Sequence, residues 1–371
     1  MRKVVFGRTV EFELSNPLER RILMEELRHY PSADREAPVD FHISDAVDGT
    51  ATPLARNPAI HTVYADGFLA DFGNTRVRLR FSSGQLRRAE YASPNAKHAL
   101  IAAASKVRSV QYMTNTESVG QRLHELVLVP SALLDEERVV FHAAGLVAPS
   151  GRAVLLGGTG GVGKTSTQLY LCRQAGFGFL ADDIAVAGDA GEVFPNFAYP
   201  KIYAYNVVGN DDLGAVVLGR RPVLDRLHWY LRSRYAMSWV RRRMDPATLY
   251  GSLPTAGAPL ACYIILMRSN VVKPEFRAIS PDVAAHISAN VMRTEYQVFF
   301  RHLDWQKVNT AAHGTGSSDV VPSVEDVLGR QRERTTRLLT QANCEALHVP
   351  LTMSHTQFLA EVAPRIADRT T

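Results

Sequence analysis

Residues Gly158 to Thr165 read Gly-Thr-Gly-Gly-Val-Gly-Lys-Thr, a spacing of glycines, lysine and hydroxyl that suits the capture of a polyphosphate. The glycines Gly158, Gly160, Gly161 and Gly163 free the backbone to turn consecutive N–H groups inward and form an anion nest. Lys164 is placed to reach the β and γ phosphates of a nucleoside triphosphate, and the Thr165 hydroxyl to bind the Mg²⁺ bridging them. The nucleotide-binding set predicted from this pattern is Gly158, Thr159, Gly160, Gly161, Val162, Gly163, Lys164, Thr165 and Ser166. About 18 residues after the lysine come adjacent carboxylates, Asp182 and Asp183. Neighbouring residues on a strand end point to opposite sides, so one can face a metal ion and the other an acceptor. A carboxylate within reach of an alcohol can take its proton while lysine and metal stabilise the transferring phosphoryl group.

Such a site needs a strand ahead of the loop, a helix behind it and a second strand to return the acids. Ala153 to Leu156 supplies an apolar strand, and an amphipathic pattern from about Thr165 through Leu169, Leu171 and Cys172 supplies the helix. Gly176 marks a turn, and Phe177 to Leu180 a strand running into Ala181-Asp182-Asp183. Upstream, Val139-Val140-Phe141 leads to His142, which reads either as an active-site imidazole or as a hydrogen-bonded core histidine.

The rest of the chain frames this core. With 371 residues and 46% hydrophobic content, the composition is that of a globular protein of two domains, or of one large domain with additions. Its three cysteines form no Cys-x-x-Cys pair, which argues against a disulfide framework or structural zinc. The amino terminus returns to charge too soon for a signal peptide, and no apolar run matches a membrane span, so a cytoplasmic protein is expected. The net charge of +5 gathers partly in Arg220 to Arg243, where Trp229, Leu231, Met237, Trp239 and Val240 interleave as on a packed helix with a solvated basic face, the alternative being contact with an acidic substrate or phosphate. No nucleic-acid-binding motif accompanies these arginines.

Residues 1–130 are predicted to form a smaller N-terminal α+β domain. It has alternating strands over 3–14, a capped helix from Asn16 to Tyr30, an antiparallel meander over 40–92, and helical patterns over Pro94 to Lys106 and Ser118 to Leu128. Residues 131–371 form the nucleotide-binding domain, with a helical, arginine-rich insertion at about 206–258 and a buried strand from Leu260 to Met267. The small polar residues of 309–322 read as a flexible loop and lid candidate, ahead of a helix capped by Ser323 and Asp326.

Together, His142, the phosphate loop, the short helix, Gly176 and Phe-Leu-Ala-Asp-Asp resemble the HPr kinase/phosphorylase family, which shares its core with phosphoenolpyruvate carboxykinase and has relatives in lasso-peptide clusters. The likeness covers roughly residues 137–201. It implies an α/β (α+β) carboxykinase-like P-loop core with a mixed sheet, and an ATP-dependent kinase acting on a hydroxyl of a peptide, protein or small molecule. ATP and Mg²⁺ are the implied cofactors. By the same likeness Lys164 is the phosphate-binding lysine, Thr165 with Asp183 the metal site, Asp182 or Asp183 the catalytic base, and His142 an active-site histidine; self-association is implied too. The family's Glu-Ile-Arg-Gly signature has no counterpart; Val193 to Lys201 stands in its place, leaving HPr as acceptor and reverse phosphorolysis outside what the likeness implies. Lys201 reads as a phosphate-side cation or a solvated lysine. The alternative is a carboxykinase-like nucleotide-binding or NTPase module without kinase activity.

Overall fold

The computed structural model describes residues 1–58, 60–73, 75–92, 115–314 and 320–370, and its fold is mixed α/β. The N-terminal strands are β1 (Arg2–Val5), β2 (Arg8–Glu13), β3 (Phe41–Ser44), β4 (Ala55–Asn57), β5 (His61–Tyr64), β6 (Gly67–Asp71), β7 (Arg76–Ser82) and β8 (Gln85–Ala92). They form one eight-stranded sheet in the order β1-β2-β3-β8-β7-β6-β5-β4. The meander β4 to β8 is antiparallel throughout, while β3 lies parallel to both β2 and β8. Helix α1 (Pro17–Glu26) starts where Asn16 accepts from the amides of Leu18 and Glu19, and it buries Ile22 and Leu23. It ends four residues before the expected Tyr30. The β1–β2 turn uses positive φ at Phe6 and Gly7, and Arg138 anchors it by donating Nε to the Phe6 carbonyl at 2.9 Å.

The expected helix over Pro94 to Lys106 lies outside the described residues. The second expected helix is longer than its pattern: α2 (Asn115–Arg122), a π-helical segment (Leu123–Leu128) and α3 (Val129–Leu134) run on without a break. A Cβ at Gly120 would lie 2.2 Å from the Glu26 carboxyl carbon and would push that carboxylate aside.

A second, nine-stranded sheet holds β9 (Arg138–Phe141), β10 (Ala143–Val147), β11 (Ala153–Gly157), β12 (Gly178–Ala181), β13 (Ala185–Gly188), β14 (Glu192–Phe194), β17 (Ala258–Ser269), β18 (Glu275–Ala278) and β19 (Asn343–Pro350). Strands β11, β17 and β19 run parallel, whereas β10 runs antiparallel to both of its neighbours, β11 and β12. The sheet is therefore mixed. Alternate side chains sort into two cores. Phe141, Leu155 and Tyr263 pack with α9 (Pro281–Glu295) and α11 (Val324–Leu339), and Leu146, Leu156 and Ile264 with α4 (Lys164–Gln174) and α12 (His355–Thr370). Ser323 and Asp326 cap α11 reciprocally, as their spacing indicates.

Residues 204–250 contain α5 (Ala204–Val207), α6 (Asp211–Leu218), α7 (Val223–Ala236) and α8 (Pro246–Tyr250). Two expectations fail here. Arg241 to Arg243 form a strand, β16 (Arg241–Arg243), paired antiparallel with β15 (Lys201–Tyr203). Arg242 and Arg243 are buried rather than solvated, while Leu231, Met237 and Trp239 are exposed. Burial is possible because distant acids meet the guanidinium groups: Arg243 pairs with Glu26 at 2.6 Å, Arg242 with Asp225 at 2.6 Å, and Arg221 with Glu117 at 2.7 Å. The expected loop over 309–322 also gives way in part, since α10 (Gln297–His313) continues to a left-handed Gly314. Thr310 stays helical by donating its hydroxyl to the Gln306 carbonyl at 2.9 Å.

His61 of β5 and His302 of α10 stack with ring centroids 5.5 Å apart, both out of contact with water. Burial pushes the pKa of each down to about 4, against a weaker opposing hydrogen bond to Gln306 at His61. An unfolded chain takes up protons on these rings below about 6.5 while the folded one does so only near 4. Their stabilisation is therefore complete above pH 6.5 and falls as the pH drops, by roughly 2 kcal/mol per histidine at pH 5. Thermal unfolding at pH 7 and pH 5 should show a drop in Tm that shrinks in His302→Gln; an unchanged drop would refute the assignment.

Candidate active site

The topology of the second sheet brings the sequence-predicted groups together. Strands β11 and β12 point the same way with β10 between them, so the ends of both lie at the edge where β10 begins. The phosphate loop leaves β11 at Gly157, the acids leave β12 at Ala181, and His142 sits directly before Ala143 of β10. Three chain segments distant in sequence thus meet across one strand spacing on either side.

The loop is held by its surroundings. Gly158, Gly161 and Gly163 adopt φ of +124°, +77° and +112°. A Cβ on Gly158 would stand 2.6 Å from the Leu266 carbonyl oxygen, and one on Gly163 2.6 Å from the Phe358 ring. Val162 is buried among Leu266 and Phe358 rather than in the cleft, pinning the loop from behind. No side chain caps the α4 N-terminus, so its first amides and partial positive charge face the loop concavity. The Ser166 hydroxyl accepts from Asn206 Nδ2 at 3.3 Å.

Lys164 is only 7% exposed, yet Nζ donates to neutral acceptors: the carbonyls of Gly158 at 2.6 Å and Thr159 at 3.0 Å, and His142 Nε2 at 3.2 Å. Burial lowers its pKa, opposed by the charges of Asp183, Asp182 and Glu295. For His142 Nε2 to accept from an ammonium, the ring must be neutral with its proton on Nδ1. Burial also lowers the His142 pKa, with Asp183 pulling up and Lys164 pushing down. Among the described residues the Nδ1 atom is buried without a hydrogen-bond partner.

The two aspartates are divided as their adjacency suggests. Asp182 Oδ1 accepts from the Thr165 hydroxyl at 3.2 Å. Burial first, and the neighbouring Asp183 charge second, push the Asp182 pKa up to about 7. Asp183 instead lies 3.7 Å from His142 Nε2, with its side chain 54% exposed to the cleft. Burial among protein atoms would raise its pKa, but His142, Lys201, Lys164 and Arg241 outweigh that and hold it below the usual carboxylate range. The carboxylate beside the Thr165 hydroxyl is Asp182, not the Asp183 that the resemblance implies. Two hard oxygens, Thr165 Oγ1 and Asp182 Oδ1, suit Mg²⁺, and a bound cation would relieve the crowded acid pair.

The cleft, about 600 Å³, is lined by the loop, by His142, Asp183, Lys201 and Arg241, and by Glu295, Tyr203 and Tyr205, which no sequence signal marked. Glu295 ends α9 with a carboxylate oxygen 4.0 Å from His142 Nε2. Lys201 is ion-paired with Glu125 of the π-helical segment and is not a solvated lysine. Burial would lower its pKa, but Glu125 and Asp183 together raise it, so it stays charged. Tyr203 and Tyr205 stack at 5.3 Å on one wall, with the Arg241 guanidinium donating to the Tyr203 hydroxyl at 2.7 Å. Only alternation around Lys201 could have hinted at this wall; Glu295 belongs to an ordinary amphipathic helix.

No family model matches the chain, and no curated protein matches it. Among solved structures, it is similar to the Hpr(Ser) kinase/phosphatase from Coxiella burnetii, with 12% sequence identity over 62% of this chain and 96% of that one, at a TM-score of 0.27. Among the described residues, no helix is long and apolar enough to cross a membrane.

The loop geometry separates its glycines. Gly158→Ala forces a left-handed φ and a contact with a fixed carbonyl, and is expected to cost more than about 2 kcal/mol. Gly160 has nothing within 4 Å of its Cβ position, so Gly160→Ala should change stability by less than about 0.5 kcal/mol. Urea unfolding of the two variants checks this; equal effects would refute the loop conformation.

Proposed function

We propose that the chain is an ATP-dependent kinase that transfers the γ-phosphoryl group to an alcohol. The observation that carries this reading is the meeting of Lys164, Thr165, Asp182, Asp183 and His142 at one sheet edge, at a cleft large enough for a nucleotide. In this reading the loop amides and Lys164 hold the phosphates, and Lys164 exchanges its loop carbonyls for phosphate oxygens. Thr165 and Asp182 would hold Mg²⁺, which supplies charge neutralisation on the phosphates. The stacked Tyr203–Tyr205 pair offers an aromatic face to a base.

Asp183 is the group best placed to accept the alcohol proton, because it opens into the cleft while Asp182 is tied to Thr165. Geometry takes precedence over basicity here. The low pKa of Asp183 keeps it ionised and ready to accept, and the nearby Lys201 ammonium favours that ionised form. Neutral His142 fixes Lys164 through Nε2.

The test uses ATP labelled on the γ-phosphate and a panel of alcohols as acceptors. Asp183→Asn is expected to lower transfer by about 10²- to 10⁴-fold while leaving nucleotide affinity within a few-fold. Asp182→Asn and Thr165→Ala are expected instead to raise the Mg²⁺ concentration needed for half-maximal rate. Full transfer by Asp183→Asn would remove it as the base, and failure of the wild type to bind ATP would end the kinase reading.

A further inference from the structure

A second cavity, of about 420 Å³, lies against the first and touches none of the phosphate-loop residues. The two share His142, Asp183, Lys201 and Glu295. The far wall of the second comes from the helical run of the N-terminal part of the chain, through Ser118, Glu125 and Leu126, and from the start of α10, through Val298 and Phe299. A molecule in it would therefore reach Asp183 without touching the phosphate loop, so that acceptor and nucleotide can be held side by side with Asp183 between them.

The lining also says what kind of molecule fits. Leu126, Val298, Phe299 and Phe72 give it an apolar side. Its charged groups are three carboxylates, Glu125, Asp183 and Glu295, against two cations, Arg122 and Lys201. Lys201 is already paired with Glu125, and Arg122 also has an interaction partner. Glu295 stands 42% exposed at the seam. A carboxylate or phosphate brought into this space would meet a net negative field, with the nucleotide's own phosphates just beyond. An amine would meet the opposite.

The π-helical segment fits a functional wall. Its extra residue per turn is uncommon in helices and concentrates at working sites, and here the segment supplies Glu125 to Lys201 and His124 to Glu26, at 3.4 Å. The acceptor wall is thereby tied to the buried Glu26–Arg243 pair that joins α1 to β16.

We infer that this second cavity is the acceptor site and takes a neutral or cationic alcohol with an apolar body. The inference rests on the kinase reading above and adds the substrate class. The acceptor O–H bond breaks, and its proton passes to the Asp183 carboxylate. The freed oxygen bonds to the γ-phosphorus, and the bond from that phosphorus to the β,γ-bridging oxygen breaks with its electron pair leaving on ADP. The products are a phosphate monoester, ADP and one proton.

The test uses phenylalaninol as a cationic amphiphilic alcohol and phenyllactate as its anionic counterpart. Binding is followed by saturation-transfer NMR with and without a non-hydrolysable ATP analogue, and transfer by mass spectrometry. Wild-type protein should bind phenylalaninol at millimolar concentration, with the analogue present or absent, at least tenfold better than phenyllactate, and phosphorylate it preferentially. Ser118→Trp fills the cavity, and Val298→Arg, at a position 55% exposed, places a cation at its rim without disturbing the core. Each should weaken phenylalaninol binding about tenfold and leave affinity for the analogue unchanged. Absence of phenylalaninol binding, equal binding of phenyllactate, or indifference to both substitutions would overturn the acceptor site. Binding of phenylalaninol without any binding of the ATP analogue would instead overturn the kinase reading while leaving the cavity's ligand class intact.

Discussion

A buried ammonium needs counter-charge, and among the described residues Lys164 has only neutral atoms as direct hydrogen-bond partners. Its charge is balanced at longer range by Asp182, Asp183 and Glu295. Desolvating an ion without a close partner is costly, a cost that the proposed phosphate ligand would offset. The surrounding features follow from that arrangement. The glycines hold the carbonyls and amides of the loop in place, His142 accepts the third ammonium proton, and Asp183 stays ionised because cations surround it.

The sheet makes the balance possible. If β10 ran parallel to its neighbours, His142 would lie at the opposite edge from the phosphate loop. Because it runs antiparallel, its start falls between two strand ends, and small residues such as Ala143 and Gly145 let β11 and β12 close around it. The N-terminal sheet then contributes more than bulk. Its helical extension brings Glu125 to Lys201, the partly buried Glu117–Arg221 pair ties that extension to the residues just ahead of α7, and the buried Glu26–Arg243 pair ties α1 to β16. Removing one partner of such a buried pair typically costs about 3–5 kcal/mol, so the geometry of the cleft is coupled to segments far from it in sequence.

What could be read in advance was local. The phosphate loop, its flanking strand and helix, the Asn16 cap and the Ser323–Asp326 box each depend on residues within a few positions of one another. The arginines of 241–243 could not be read the same way, because the same charged run is a solvated helix face or a buried strand depending on Glu26 and Asp225, which lie elsewhere in the chain. Asn309 to His313 misled for the opposite reason: Asn309 and Thr310 bond back to the carbonyls of the preceding turn within α10, and Ala311 and Ala312 are strong helix formers, so the helix runs on to Gly314. That Asp182 rather than Asp183 lies beside the Thr165 hydroxyl turns on side-chain direction at a strand end, which adjacency in sequence leaves open.

The most direct test of the central claim is a crystal structure with a non-hydrolysable ATP analogue and Mn²⁺. The account requires the Mn²⁺ anomalous peak at the Thr165 hydroxyl and the Asp182 carboxylate, Lys164 Nζ moved from the Gly158 and Thr159 carbonyls onto phosphate oxygens, and Asp183 facing the terminal phosphoryl group. A nucleotide bound with Lys164 still on its loop carbonyls, or with its terminal phosphorus beyond the reach of the Asp183 side chain, would contradict it.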